Sequence, residues 1–365
     1  MPFSFLGFDV QRGGLRLSLI AATKVPVKVL ELIAPSQFVV SEKPKPSPRN
    51  GEVLIKVSFC GICGSDVHGM DNSSGRRIPP MVMGHEASGV IDELGEGVEG
   101  WTVGDRVSFD SMVFCGECDF CERGETNLCD ERQVMGVSCD EFKRDGAFAE
   151  WVIVPALILE RIPEGLSFEE AAFTEPLAVA LHAVNLVKVK PGESALVVGS
   201  GLIGLLVIQA LKRAGCGEII AVDLDRGRLE LAMKLGATSA FHSLEDEIVL
   251  PEGGVDLSME VVGAGPTLDL AIKSLRKGGR VGLVGNVVPE VKFPLQYVVT
   301  REISLIGSCA AAGECAQALE AITKGEIQVK PLTSATVPLE EGADYFTRLR
   351  EGKEGLLKVL FQPHA

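Results

Sequence analysis

The chain has 365 residues, 46% of them hydrophobic, and a positive mean hydropathy, which suits a large buried core and two domains or one large one. A net charge of −15 with no basic stripe argues against nucleic acid and anionic membrane as partners. Aromatic residues are few, which leaves little for stacking platforms, and no apolar run is long enough to span a bilayer.

Residues 1–24 read as an extension. They lack a basic n-region, and Asp9, Arg12 and Arg16 interrupt any apolar core, so they do not read as a signal peptide. The alternation from Leu15 to Leu19 predicts an edge strand. Strands are predicted over 26–33, 37–40 and 53–57, with a polyproline-like connector over 43–48. Residues 84–89 read as a loop into a strand at Val90 and Ile91, and Gly104 to Val107 as a turn into another. Short strands with Gly and Pro punctuation suggest a β-barrel-like first half.

Within it lies Cys63-Gly64-Ser65-Asp66-Val67-His68. A thiolate is a soft ligand suited to zinc, Ser65 and His68 are groups a proton relay needs, and Asp66 can orient a ligand. An inert, buried cysteine in a turn is the bland alternative. A stronger signal follows at Cys115, Cys118, Cys121 and Cys129. Two two-residue spacers and a seven-residue return close a four-thiolate shell with no open position, which reads as a structural zinc. A ferredoxin-like run is the competing pattern, but the fourth cysteine stands too far on and no Pro follows it. Thiols at metal spacing among ten cysteines point to a reducing, cytoplasmic setting.

From about 166 the texture becomes α/β. Ser167 and Glu170 form a capping box, and a helical run is expected through Ala180. A buried strand at 194–198, a helix at 202–214 and a strand at 219–222 make a βαβ unit. Helices at 226–235 and 266–276 alternate with strands at 256–261 and 280–284, as far as about Ile306. Gly199, Gly201 and Gly204 stand between strand and helix, and Asp223 ends the next strand about twenty residues on, which is a dinucleotide fingerprint. Asp223 would accept from an adenosine ribose and repel a 2′-phosphate, favouring NAD over NADP. Arg228 would cover the adenosine side, or simply face solvent. The apolar strand from Ile303 to Ile306 is suited to pairing across a two-fold axis.

These motifs, with Gly84-His85-Glu86 and Glu175-Pro176-Leu177, resemble the zinc-dependent medium-chain alcohol/polyol dehydrogenase family over roughly residues 26–362. The resemblance implies an α/β chain: a Rossmann doubly wound parallel sheet over 183–308 inserted in a GroES-like β-barrel catalytic domain, 1–182, to which 309–365 return. It implies two zinc ions per chain. Cys63 and His85 match catalytic zinc ligands, and Glu86 and Glu175 stand at or against that metal. Glu175 stands where polyol and sugar dehydrogenases carry a glutamate and ethanol-type enzymes a third cysteine; a helix cap is its bland reading. The resemblance also implies that Ile203 meets the cofactor at the glycine turn, and Gly285 and Cys309 on the nicotinamide side. Ser65, His68 and Glu175 would handle protons.

The expected reaction is oxidation of a secondary alcohol (a polyol or sugar derivative) to a ketone with NAD, in a homodimer or homotetramer. Alternatives are a non-enzymatic NAD- and zinc-binding sensor, or a threonine, aldehyde, sugar-phosphate or simple alcohol dehydrogenase. Gly69 and Ala310-Ala311 replace the Tyr and the Arg-Tyr pair of sorbitol dehydrogenases, so sorbitol itself is not implied and a roomier pocket is expected.

Overall fold

Short strands with glycine turns build the first unit of the chain, in a computed structural model that describes residues 25–139, 143–352 and 354–365. The strand expected at Leu15–Leu19 and the extension 1–24 lie outside the described residues. β1 (Pro26–Ala34) and β2 (Gln37–Pro44) form an antiparallel hairpin whose second strand takes in the start of the proline-rich connector. β3 (Glu52–Gly61) lies at the centre of the main sheet and is followed by the short helix α1 (Gly64–Gly69). β4 (Glu86–Leu94) and β5 (Arg106–Phe109) continue that sheet, and β6 (Trp151–Pro155) also pairs with β3. β4 starts at Glu86 rather than near Val90. Its first residues pair with the end of β3, which turns the expected loop into strand.

Helix α2 (Thr174–Leu186) is separate from a short helix at Phe168–Ala171, and it runs about one and a half turns past the expected end. Ser167 and Glu170 do form the capping box of the short helix. The six-stranded sheet comes next: β7 (Ser194–Val198), β8 (Glu218–Asp223), β9 (Ser239–His242), β10 (Val255–Glu260), β11 (Leu275–Leu283) and β12 (Ser304–Gly307). All neighbours are parallel, in the order β9-β8-β7-β10-β11-β12. This is the doubly wound Rossmann order, with its switch point between β7 and β10. Helices α3 (Leu202–Arg213), α4 (Arg226–Leu235) and α5 (Gly265–Lys273), with a short helix at Leu295–Arg301, lie in the crossovers. Near-continuous Val, Ile and Leu in β7 and β8 reflect burial on both faces.

After β12 the chain forms α6 (Cys315–Thr323), then β13 (Thr333–Val337), α7 (Gly342–Glu351) and β14 (Lys358–Phe361). β14 pairs antiparallel with β3, and β13 parallel with β14, so the tail completes the sheet of the first unit. One apolar core fills that unit; two others cover the faces of the parallel sheet. The α/β class, with a parallel Rossmann sheet beside a β-rich unit, is as the sequence implied. No helix among the described residues is long and apolar enough to cross a membrane.

Candidate active site

Three strands bring the first candidate centre together. Antiparallel pairing sets Gly61 of β3 opposite Glu86 of β4 and Leu360 of β14. Cys63 follows as the N-cap of α1, so its thiol comes beside His85 and Glu86. The ligand atoms of Cys63, His85 and Glu86 lie within 4.8 Å of one another. Glycine at position 61 leaves room for Glu86 Oε2, which a Cβ there would displace. That oxygen takes a bond from the buried Lys358 ammonium, which also donates to the Ile62 carbonyl at 2.8 Å. Glu86 Oε1 and His85 Nδ1 are buried without hydrogen-bond partners. Buried polar atoms are seldom left so, and a thiol, an imidazole and a carboxylate with orphaned atoms fit zinc.

Behind this group Asp66 is fully buried, with Oδ1 3.7 Å from His85 Nδ1. It accepts from Arg77 Nη2 at 2.8 Å and from the Cys63 N–H at 3.3 Å. Arg77, which no sequence motif singled out, also donates to Ser65 Oγ at 3.3 Å. Arginine only donates, so Ser65 must accept there, and its own proton points elsewhere. The space beside Gly69 is not open: a Cβ there would lie 2.8 Å from Arg77 Cγ. The stem of Arg77 thus fills part of the room that the missing tyrosine suggested. Ser65 and His68 are both exposed on α1.

Burial opposes charge on His85, but Asp66, a hydrogen bond with Cys63 and the charges of Cys63 and Glu175 push its pKa up to about 10. Glu175 is the second residue of α2, and Phe173 is the N-cap, so Glu175 does not cap the helix. Its carboxylate accepts from Ser111 Oγ at 2.8 Å. It stands outside the three-residue ligand group but close enough to act on His85. Burial, with the charges of Glu86 and Asp110, raises its pKa to about 7 against the opposing pull of His85 and Ser111.

The second centre is the lobe of Cys115, Cys118, Cys121 and Cys129, whose four sulfurs also gather within 4.8 Å. Sulfur separations are 3.5 Å (118–121), 3.6 Å (115–129) and 3.9 Å (115–121). A tetrahedron with Zn–S bonds of about 2.3 Å has edges of about 3.8 Å. All four cysteines are free, and the N–H groups of Cys118 and Cys115 point at Cys115 and Cys129 sulfurs at 3.4 and 3.3 Å.

The glycine turn lies beyond the carboxyl end of β7. Gly199 has φ +99°, a left-handed conformation that favours glycine, and at Gly204 a Cβ would strike the Gly199 carbonyl. A Cβ at Gly201 would meet open space apart from Arg228 Nη1, 3.9 Å away. Ile203 lies in the first turn of α3. Asp223 Oδ2 accepts from the Ser200 N–H at 2.6 Å, and Oδ1 from Leu224 and Asp225 at 2.7 and 3.0 Å. Of about four acceptor positions on a carboxylate, roughly one remains for a ligand. Arg228 Nε, Ser200 Oγ and Ser308 Oγ are buried without partners. They lie at the carboxyl edge of the sheet, where such folds bind dinucleotides, and their orphaned atoms fit one. Gly285 lets two loops cross, since a Cβ would meet the Gly263 N–H, and Cys309 is exposed just past β12.

Comparison with known proteins agrees with this geometry. Residues 49–164 match the alcohol dehydrogenase GroES-like domain, and residues 203–324 match the zinc-binding dehydrogenase domain. The chain is 34% identical over 331 residues to sorbitol dehydrogenase of Bacillus subtilis, covering 88% of this chain and 93% of that one. It is 35% identical over 340 residues to D-xylulose reductase A of Aspergillus oryzae, covering 89% and 93%. Among solved structures, a Sinorhizobium meliloti 1021 protein assigned as a zinc-binding dehydrogenase and bound to NADP superposes with a TM-score of 0.86. That match has 30% identity and covers 93% of this chain and all of the other.

Proposed function

The chain belongs to the zinc-dependent medium-chain alcohol and polyol dehydrogenases, and from that premise we propose that it oxidises a secondary polyol or sugar derivative to a ketone with NAD. The observation that carries this reading is the half-buried Cys63 beside the buried His85 and Glu86, with Glu86 Oε1 orphaned, in one chain with the Rossmann glycine turn. Names of the relatives point to polyols and ketoses. The test is turnover with NAD, followed by NADH absorbance, across polyols, sugars, sugar phosphates and simple alcohols. No turnover on any of them sinks the reading.

Cys63 and His85, with Glu86, would hold one zinc, and Cys115, Cys118, Cys121 and Cys129 a second, closed one. When bound, the open zinc supplies Lewis acidity at the alcohol oxygen and the nicotinamide takes the hydride. The chain's own part is to move the proton and hold the groups in place. Ser65, which accepts from Arg77, and His68, which meets solvent, would carry that proton outward. Asp66 faces His85 Nδ1 and so offers Nε2 to the metal, while Arg77 neutralises Asp66 from behind. Lys358 holds one oxygen of Glu86 and leaves the other free.

Zinc and protons compete for His85. Below about pH 10 the metal-free imidazole carries a proton that the metal must displace, so affinity rises with pH. With the thiol lobe already filled, calorimetry should show proton release and an affinity gain of at least about ten-fold per pH unit between 6.5 and 8.5. A flat affinity over that range would contradict a proton on the metal-free His85 that zinc displaces.

Preference for NAD rests on Asp223. Asp223→Ser removes the ribose acceptor and the bond to the Ser200 N–H together. The loss is on the order of 1.5–3 kcal/mol, or about ten-fold and more in NAD affinity, while NADP gains relative to NAD. An unchanged NAD/NADP ratio in the variant would place the ribose elsewhere. One of the two edge strands of the parallel sheet, β12, carries the partly exposed Leu305, and Leu295 and Val299 nearby are more exposed still. We place a second copy of the chain against that edge; light scattering at a single chain mass would overturn this.

A further inference from the structure

Three segments far apart in sequence meet in one buried polar chain that the chemistry above does not use. Asn127 belongs to the thiol lobe, two residues before Cys129; His182 lies on α2; Glu314 ends the crossover that leaves β12. All three are buried. Asn127 Nδ2 donates to the Cys309 carbonyl at 2.7 Å and lies 3.3 Å from His182 Nε2. The Cys309 carbonyl can only accept, so the amide nitrogen must face it, and the second hydrogen of that nitrogen goes to His182. His182 Nε2 is therefore an acceptor, and Nδ1–H donates to Glu314 Oε1 at 3.0 Å. Glu314 Oε2 accepts the Ala312 N–H at 2.7 Å, and Asn185 adds a bond at 3.3 Å. The donors and acceptors of these bonds have one arrangement.

What this chain fixes is the backbone from Ser308 to Glu314. Asp223 and the glycine turn take the adenosine half of a dinucleotide on the β7–β8 side of the switch point. The nicotinamide half must then cross to the side of β10, β11 and β12. Ser308 and Cys309 follow directly from β12 at that edge, and Ser308 Oγ is buried with no partner. Glu175 and His182 are seven residues apart, both on the buried face of α2, so one helix face serves both the metal group and the crossover.

We propose that Asn127 and His182 are positioning residues for the nicotinamide end of the cofactor groove, through which the thiol lobe holds the crossover in place. The inference rests on the dehydrogenase reading above. Its test is fluorescence titration of the zinc-loaded full chain with NADH, and competition with ADP-ribose, which lacks the nicotinamide. Asn127→Asp keeps the shape but turns a donor into an acceptor facing the Cys309 carbonyl. His182→Asn keeps a donor near Glu314 but removes the acceptor for Asn127. Each should weaken NADH about ten-fold and ADP-ribose less than two-fold, and the double variant should be little worse than either. NADH affinity within two-fold of wild type, or equal losses for NADH and ADP-ribose, would overturn the inference. If Asn127→Asp does not yield folded protein, the NADH to ADP-ribose ratio of His182→Asn alone decides. A wild-type chain that binds no NADH would sink the dehydrogenase reading itself.

Discussion

Cys63→Ser should abolish turnover and leave the fold in place. The thiol is the soft member of the Cys63, His85 and Glu86 group, and a serine hydroxyl is not a comparable zinc ligand at neutral pH. Lewis-acid polarisation supplies several kcal/mol, and a loss of about 4 kcal/mol is about a thousand-fold in rate. The structural side of the residue survives. Its N–H bonds Asp66 through the backbone, and serine is a better N-cap than cysteine for α1. We expect an unchanged thermal midpoint corrected for metal, one zinc lost per chain and the thiol lobe still filled. Retained turnover in the variant would remove Cys63 from the catalytic centre.

The second large effect is expected at Glu175. Glu175→Gln keeps the size of the side chain and an oxygen for the Ser111 hydroxyl, but removes the charge. A carboxyl raised to about 7 by burial, and by the charges of Glu86 and Asp110, is matched to proton exchange near neutral pH. It lies outside the three residues whose ligand atoms gather within 4.8 Å, and the role proposed for it is to take or pass the proton that the alcohol sheds. Turnover should fall about a hundred-fold, the scale of a positioned acid–base group, with NADH affinity within two-fold of wild type. A capping role is already closed, because Phe173 occupies that position. Loss of thermal stability with turnover intact would make Glu175 an anchor for Ser111 and nothing more.

Local spacing carries some parts of this molecule and not others. The glycine turn with Asp223, and the four cysteines of the lobe, are legible because their groups meet within a few residues or across one βαβ unit. Cys63 and His85 are linked in sequence only by motif resemblance; what joins them is the register of β3 on β4. Lys358 is out of reach of any pattern, since it arrives on β14 from 296 residues beyond Ile62. Arg77 sits in a polar loop whose course decides where its guanidinium lands, and the glycine at 69 makes sense only beside it. The link of Asn127 to His182 and Glu314 is likewise a product of tertiary packing. Helix ends are least legible near Phe173 and Ser274. There the chain breaks and restarts within a few residues, and propensity is too weak to mark the point.

Alcohol oxidation is expected to depend on an open zinc held by Cys63 and His85, apart from the closed one. The direct measurement is NADH formation from a secondary polyol by protein stripped of that zinc and then titrated back. Zinc per chain and the state of the lobe would be counted at each step. Activity should be near zero with one zinc per chain in the lobe and rise in proportion to the second. Full turnover at one zinc per chain, or none after the second is restored on a substrate the untreated protein oxidises, would contradict it.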